Sequence, residues 1–355
     1  MKRKLTVFMP VYNRENYLRD SIESILNQNL SDFEFLIIDD GSTDNSVKII
    51  ESYQDNRIRL LKNKINKGIA FTRNRGLEES NGKYILTLDS DDIALQGRLK
   101  KQLEFIDSKP DAMSAFSGYI ASYPNGECKE YDIIEDNNKL RAMMIFKNCV
   151  VNGSSIINRE LVMKNKIRYD EAFFYGEDYS FFVECLKYGN IYGQNEKLTL
   201  FNYSSEGSIS GNAGNRREEI TKKIMFNIRK TYLENNQIIL NEDQILTICK
   251  STAQPTLVSF KDLNNLIDTL EFIKEKNVVF DHSILNKVLQ DITNEILGYS
   301  QKISYIKKIG IFKKNKPSFI KVEIGRYKLL KYHIKFQIIN NLKNVKERVF
   351  FKLRG

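Results

Sequence analysis

Two apolar patterns alternate along the first ninety residues. Short unbroken apolar runs occupy Leu5–Tyr12 (LTVFMPVY), Phe33–Ile38 (FEFLII), Ile58–Leu61 and Tyr84–Leu88 (YILTL). Runs of this kind, rich in β-branched and aromatic side chains, predict strands buried on both faces. Between them, Tyr17–Asn27 places Leu18, Ile22, Ile25 and Leu26 at helical spacing, and Ser46–Tyr53 and Ile69–Glu79 read as helices too. Strands alternating with helices predict βαβ units and a mostly parallel central sheet, an α/β fold.

Beyond about residue 112 the pattern changes. Met113–Ser122, Val150–Asn158 (VVNGSSIIN) and Ile191–Tyr203 read as strands, Leu140–Phe146 and Tyr179–Tyr188 as helices. A Ser/Gly/Asn stretch, Ser208–Asn215, reads as a loop and a boundary. The rest is mainly helical: Glu219–Glu234, Asp243–Lys250, Asp262–Glu275 and Ser283–Leu297. In 326–355 apolar residues recur in steps of three or four, from Tyr327, Leu330 and Ile334 to Val349 and Leu353, which predicts one more amphipathic helix. The expected organisation is an α/β domain over 1–212, an α-helical region over 213–300 and a basic amphipathic tail over 301–355.

Charge sharpens the tail. The 355-residue chain carries a net charge of +10, yet residues 301–355 hold 16 Lys and Arg against only Glu323 and Glu347. The other 300 residues hold 39 basic and 43 acidic side chains, a slightly acidic body. A basic amphipathic helix bearing Phe350 and Phe351 suits an anionic membrane surface. No aromatic-interleaved basic signature speaks for nucleic acid. The plainer alternative is a terminal helix packed on the body with its charges solvated.

Other classes are disfavoured by composition. No uncharged apolar run approaches the roughly 18–20 residues of a membrane span. Met1-Lys2-Arg3-Lys4 imitates the start of a signal peptide, but the apolar run that follows is too short. Cys128, Cys149, Cys185 and Cys249 form no CxxC pair, so reduced thiols and a cytoplasmic location are expected rather than a disulfide scaffold or zinc ribbon. Two histidines leave little material for a His-rich metal site.

Ligands of a mostly parallel sheet sit beyond the carboxyl ends of its strands. Here those ends read Pro10-Val11-Tyr12-Asn13, Asp39-Asp40-Gly41-Ser42-Thr43-Asp44 and Asp89-Ser90-Asp91-Asp92. Helix capping by Ser42, Asp44 or Asp92 explains one acid per helix, but not two acidic clusters on one edge. Carboxylates converging without basic partners raise one another's pKa, and a divalent cation removes that penalty. Hard oxygen ligands suit Mg²⁺ or Mn²⁺.

The segments VFMPVYNRENYLRDSIESILNQ, FEFLIIDDGSTDNS and NKGIAFTRNRGLEESNGKYILTLDSDD, followed by Tyr175-Gly176-Glu177-Asp178 and Gly207-Ser208-Ile209-Ser210, resemble the family 2 glycosyltransferases over roughly residues 3–212. These are inverting enzymes of the GT-A fold, with a Rossmann-like nucleotide-sugar domain. The resemblance implies that Pro10, Tyr12 and Asp40 frame the donor base. A carboxylate at Asp40 accepts from N3–H of uracil, which favours UDP. Asn66 and Arg73 match a segment lining the same site; for Arg73 the alternative is a solvated helix charge. Asp89-Ser90-Asp91 matches the family's Asp-x-Asp, Asp89 facing the ribose and Asp91 holding the metal on the diphosphate, while Asp92 is placed to cap the next helix. The resemblance implies that Glu177 and Asp178 are the catalytic pair, Asp178 as the base and Glu177 beside it tending to raise its pKa. One departure stands out: where many relatives carry Arg and His, this chain has Tyr203 and Ser205, with Glu206 a substitute metal ligand. Arg216 and Arg217 are either diphosphate contacts from a closing loop or solvated charges at a helix start.

The resulting expectation is a bacterial, inverting hexosyltransferase. It moves a hexose or N-acetylhexosamine from a UDP-sugar to a hydroxyl of a lipid-linked or surface glycan, in the cytoplasm or at the inner face of the membrane. Two competitors differ in class. A non-catalytic sugar-nucleotide-binding scaffold would bind the donor without releasing UDP. A nucleotidyltransferase would want a Gly-rich, basic phosphate loop, which Pro10-Val11-Tyr12-Asn13-Arg14-Glu15 does not supply.

Overall fold

A computed structural model describes residues 4–203, 215–253 and 260–299. Its strands are β1 (Leu5–Val11), β2 (Glu34–Asp39), β3 (Ile58–Lys62), β4 (Tyr84–Thr87), β5 (Ile93–Ala94), β6 (Ala112–Ser122), β7 (Cys128–Tyr131), β8 (Ser155–Asn158) and β9 (Asn190–Asn202). The helices are α1 (Leu18–Leu26), α2 (Ser46–Glu51), α3 (Ile69–Glu79), α4 (Arg98–Asp107), α5 (Asn137–Met143), α6 (Arg159–Lys164), α7 (Glu177–Cys185), α8 (Asn215–Asn235), α9 (Glu242–Ala253), α10 (Phe260–Lys276) and α11 (His282–Tyr299).

The strands form one nine-stranded sheet in the order β3-β2-β1-β4-β8-β6-β9-β5, with β7 beside β6. The first four are parallel. The sense reverses at β8, which pairs antiparallel with β4 and with β6, and parallel pairing resumes between β6 and β9. All of β1 and β2 is buried, as unbroken apolar runs require when both faces of a sheet are covered. Leu18, Ile22 and Ile25 of α1 are fully buried in the same core as Val7, Met9 and Phe35. Order β2-β1-β4 brings the loops after β1, β2 and β4 to one edge, where the acidic clusters lie.

The structure departs from the expected elements in several places, with β5, β7 and α6 also unforeseen. Val150–Asn158 is not one strand: a 3₁₀ turn at Asn152–Ser154 precedes β8. The turn seats Gly153 against Asp89, where an added Cβ would lie 3.0 Å from Asp89 Oδ2. Helix α4 has no expected counterpart, because its buried face includes Arg98 and Gln102 beside Leu99 and Ile106. Its cap is Gly97 in the left-handed region, so Asp92 does not cap it. Asp92 instead accepts from the backbone N–H of Asn202 in β9 at 2.9 Å.

Helices α8 and α11 dock on the α/β body through α5 and the turn after it. Tyr232 Oη donates to the carbonyl of Arg141 (2.8 Å), and Arg229 Nη2 to that of Phe146 (2.6 Å). Lys139–Asp291 (3.2 Å) and Lys147–Glu295 (3.0 Å) pair at the rim. Among the described residues no helix is long and apolar enough to cross a membrane. The expected tail helix over 326–355, Ser205, Glu206 and the side chains of Arg216 and Arg217 lie outside the described residues.

Candidate active site

The strand ends open into a cleft of about 1220 Å³ lined by Pro10, Tyr12, Asp40, Asn66, Arg73, Asp89, Ser90, Asp91, Glu177 and Asp178, so all ten expected site residues meet in one place. The volume exceeds the roughly 300–1,000 Å³ of common small-molecule pockets. Arg14, Asn148, Asn152 and the α8 and α9 residues Met225, Arg229 and Thr252 complete the wall.

On one side the loops after β2 and β3 are tied together by carboxylates. Asp40 accepts from Asn63 Nδ2 (2.7 Å) and from the backbone N–H groups of Lys67 (3.0 Å) and Gly68 (2.9 Å). Three of roughly four acceptor positions of a carboxylate are therefore used within the protein. Asn66 Oδ1 accepts from the same Gly68 N–H at 3.0 Å. Gly41, at φ 76°, lets these loops meet: a Cβ there would fall 2.6 Å from the carbonyl carbon of Ile65 and 2.7 Å from the nitrogen of Asn66. Asp39 holds the turn by accepting from the N–H groups of Gly41 and Ser42, each at 3.1 Å. Tyr12 is exposed in the cleft mouth, as a ring free to stack would be.

In the centre lie the acids of Asp89-Ser90-Asp91-Asp92, and they do have basic partners, contrary to the expectation from composition. Arg14 Nε stands 3.3 Å from Asp91 Oδ2, and Arg73 Nη2 3.6 Å from Asp89 Oδ1. Behind them Arg98 is fully buried and donates to the carbonyls of Thr87 (2.7 Å) and Gly153 (2.9 Å). Burial pulls its guanidinium down to about 9, against the pull of Asp92 and Asp89. The acids still outweigh these cations. Burial, then Asp89 and Asp91, push Asp92 well above the ordinary carboxylate range, and burial chiefly raises Asp89 as well, with Arg73 opposing.

Arg73 is not a solvated charge. It is buried in α3, donates through Nη1 to Glu177 Oε1, and lies over the Tyr169 ring with Cζ 5.6 Å from the centroid. Burial opposes its charge, but Glu177 and then Asp89 raise its pKa. It thus links the acidic loop after β4 to the first turn of α7.

Glu177 and Asp178 open α7 two residues before the expected start, behind Gly176 at φ 74°. A Cβ on Gly176 would fall 2.3 Å from Met225 Cε of α8, so the turn is pinned between helices. The two acids differ in role. Glu177 is buried and committed to Arg73. Asp178 faces the cleft, accepting from its neighbour Tyr179 N–H (2.7 Å) and from Asn148 Nδ2 (3.1 Å). Burial first, and the Glu177 charge second, push Asp178 up to about 6, with Arg73 opposing. A carboxylate of that pKa is mostly ionised at neutral pH yet basic enough to take a proton.

Arg14, Asn148 and Arg98 escaped the sequence reading. Arg14 carried one signal: a basic residue three positions beyond the end of β1, on the edge that collects Asp91. Asn148 carried none, lying in a turn far from any motif. Among the described residues no three His, Cys, Asp or Glu side chains converge as a metal site. Asp91 nevertheless fits a hard cation: its carboxylate lines the cleft, 3.3 Å from a single arginine nitrogen, and its charge acts on both Asp89 and Asp92. Tyr203 is exposed and stacks on Tyr123, ring centroids 5.3 Å apart.

An α/β sheet with acids converging beyond its strand ends, and a separate carboxylate of raised pKa in the same cleft, is an arrangement suited to group transfer. Residues 6–164 match glycosyl transferase family 2. The chain is 31% identical over 218 residues to the Escherichia coli UDP-Glc:alpha-D-GlcNAc-diphosphoundecaprenol beta-1,3-glucosyltransferase WfgD, covering 59% of this chain and 80% of the relative. It is 32% identical over 215 residues to the putative teichuronic acid biosynthesis glycosyltransferase TuaG of Bacillus subtilis, covering 59% and 83%. The fold resembles S. aureus TarS 1-349, solved in complex with UDP-GlcNAc, with TM-score 0.59 and 20% identity over 83% of this chain and 89% of that one. The chain belongs to the family 2 glycosyltransferases, and it is an enzyme of the GT-A fold.

Proposed function

We propose that the enzyme transfers a hexose or N-acetylhexosamine from a UDP-sugar to a hydroxyl of a lipid-linked or surface glycan, with inversion. The observation that carries this reading is one cleft holding both Asp178, raised to about 6, and the Asp89–Asp91 loop. WfgD is named for a UDP-glucose donor and a diphosphoundecaprenol-linked acceptor, and TarS was crystallised with UDP-GlcNAc. Both support a UDP donor; WfgD and TuaG support a bacterial surface polysaccharide.

Pro10, Tyr12, Asp40 and Asn66 form the wall for base and ribose, with one acceptor position of Asp40 left for uracil N3–H. Asp89 and Ser90 bound the ribose and diphosphate, and Arg73 holds Asp89 in place. Asp91 would hold a divalent cation, Mg²⁺ or Mn²⁺, which would neutralise the charge of the departing diphosphate. Arg14, beside Asp91, adds a fixed positive charge on that side. Asp178 takes the proton of the acceptor hydroxyl as its oxygen attacks the anomeric carbon. Glu177 does not touch substrate; it fixes Arg73 and raises the basicity of its neighbour. The basic segment 326–355 would keep the enzyme at an anionic membrane, where lipid-linked acceptors reside.

The test is UDP release from a panel of UDP-sugars with Mn²⁺ or EDTA, for wild type and Asp178→Asn. Release from one donor, lost in the variant and in EDTA, is the expected result. UDP release that survives Asp178→Asn would overturn the base assignment, and failure of UDP to bind would overturn the donor site.

A further inference from the structure

We propose that Asn148 is the positioning residue of the catalytic base: its amide holds Asp178 in its working rotamer, as a neutral donor on a turn clamped by the helical region. This rests on the reading of Asp178 as the base.

The amide has a determined orientation. Asn148 Oδ1 accepts from the backbone N–H of Val150 at 3.1 Å, which leaves Nδ2 to donate to Asp178 Oδ2, also at 3.1 Å. Asp178 Oδ1 is meanwhile taken by the Tyr179 N–H. Each oxygen therefore has one fixed donor, and the remaining lone pairs face the cleft.

The turn carrying Asn148 is held from both sides. Met144, Ile145 and Phe146 are fully buried. Tyr179, next to the base in α7, donates its hydroxyl to the carbonyl of Met144. Arg229 of α8 donates to that of Phe146 (2.6 Å) while also holding Thr252 Oγ1 of α9 (3.0 Å). The backbone N–H of Cys149 reaches Met144 Sδ at 3.4 Å. The α8–α9 region thus reaches the base through two links, Arg229 to the turn and Asn148 to the carboxylate.

A neutral donor is the chemically apt choice. The groups acting on Asp178 are Glu177 and Asp89, which raise its pKa, and Arg73, which lowers it. Tyr175, itself pushed up by burial and then by Asp178 and Glu177, also faces the pair. A second cation in place of Asn148 would depress the basicity that burial provides. An amide orients the ionised form with less loss of basicity, since hydrogen bonding to the charged form favours it only modestly.

The experiment titrates the Asp178 side chain directly, by carboxyl ¹³C NMR of protein labelled at Asp Cγ, with Asp178→Asn assigning the resonance. It needs no donor or acceptor. Asn148→Ala removes the donor; Asn148→Asp keeps the acceptor for the Val150 N–H and replaces the donor with a repelling carboxylate. The expected result is a wild-type midpoint near 6, an upward move of about one unit in Asn148→Ala, and a larger one in Asn148→Asp. UDP-GlcNAc and UDP-glucose turnover, where detected, should fall about ten- to hundredfold at neutral pH in Asn148→Ala, with KM within about twofold. An unmoved midpoint in Asn148→Asp overturns the proposal, whether or not Asn148→Ala folds. Turnover that survives Asp178→Asn overturns the base reading alone, so the two failures are separable.

Discussion

Replacing Glu177 with Gln separates the two acids that open α7. Glu177 and Arg73 each have side chains only 9% exposed. Removing one partner of such a buried pair costs about 3–5 kcal/mol. Here the loss falls at or below the lower end, about 2–3 kcal/mol, because Gln keeps an acceptor for Arg73 and Asp89 stands 3.6 Å from the same guanidinium. With an unfolding entropy of about 2.1 cal/mol/K per residue, a chain of this length shifts by roughly 1–2 °C per kcal/mol, so thermal unfolding should move down by about 3–5 °C. The charge effect runs through Asp178. Glu177 is the second cause, after burial, of the rise to about 6. Asp178 must be ionised to act, so the rate climbs with pH through about 6 and levels off above. Without the Glu177 charge, that rising limb should move toward lower pH. The rate at pH 7.5 should fall no more than about tenfold, against the 10²–10⁴-fold expected for a lost general base in Asp178→Asn. Calorimetry and a pH–rate profile of UDP release check both arms. A Glu177→Gln enzyme with unchanged Tm and activity as low as Asp178→Asn would show that Glu177 acts on substrate itself, and would refute its assignment as the Arg73 anchor.

The same physics makes Asp178 a cost to the fold. Its folded-state pKa of about 6 lies above the ordinary 3.8, so the folded chain binds that proton more tightly than the unfolded one. Ionising it above about pH 6 counts against the fold by roughly 2–3 kcal/mol. Asp178→Asn should therefore raise Tm at pH 7.5, and the gain should vanish as pH falls from about 6 to below 4; a gain independent of pH would contradict the shift. Gly41→Ala should lose about 2–4 kcal/mol in chemical unfolding from its positive φ and the 2.6 Å clash with Ile65, and weaken UDP binding measured by calorimetry, since Asn66 is displaced with it. Deleting 326–355 should abolish sedimentation with anionic vesicles at about 0.1 M salt while leaving UDP release intact, since each basic residue near such a surface is worth roughly 1 kcal/mol; equal sedimentation of the truncated chain would remove the membrane role.

What was legible in the sequence followed from periodicity and from chemistry at strand ends. Helix α3 begins and ends where its apolar spacing put it, Ile69–Glu79, and the acids of three loops meet because parallel strands send their carboxyl ends to one edge. Asp89 and Asp91 were visible for that reason. Of their partners, Arg14 was not. Arg73 was expected at the donor site through the resemblance alone, because the apolar spacing of α3 gives no sign that its face is covered by Glu177 and Tyr169. Helix α4 was missed because Arg98 and Gln102 occupy its buried face, and burial of polar groups inverts the pattern that periodicity reads. Asn148 was invisible for a different reason: its meaning depends on a contact 30 residues along the chain, between segments that share no local motif.

The three arginines explain why this cleft tolerates so many acids without losing its chemistry. Arg98 lies behind the loop after β4, locked to the carbonyls of Thr87 and Gly153, and lowers the charge of the loop from the protein side. Arg14 and Arg73 meet Asp91 and Asp89 singly and at 3.3 and 3.6 Å, distances that steady the carboxylates without saturating them. Glu177 is bound to the Arg73 guanidinium. The acid beside it receives a neutral amide and a backbone N–H instead of a guanidinium, and it faces the cleft with its pKa pushed up to about 6. The adjacent carboxylates are thus divided by their partners: the one bound to a cation ties α3 to α7, and the one held by neutral donors keeps the raised pKa that the proposed proton transfer requires.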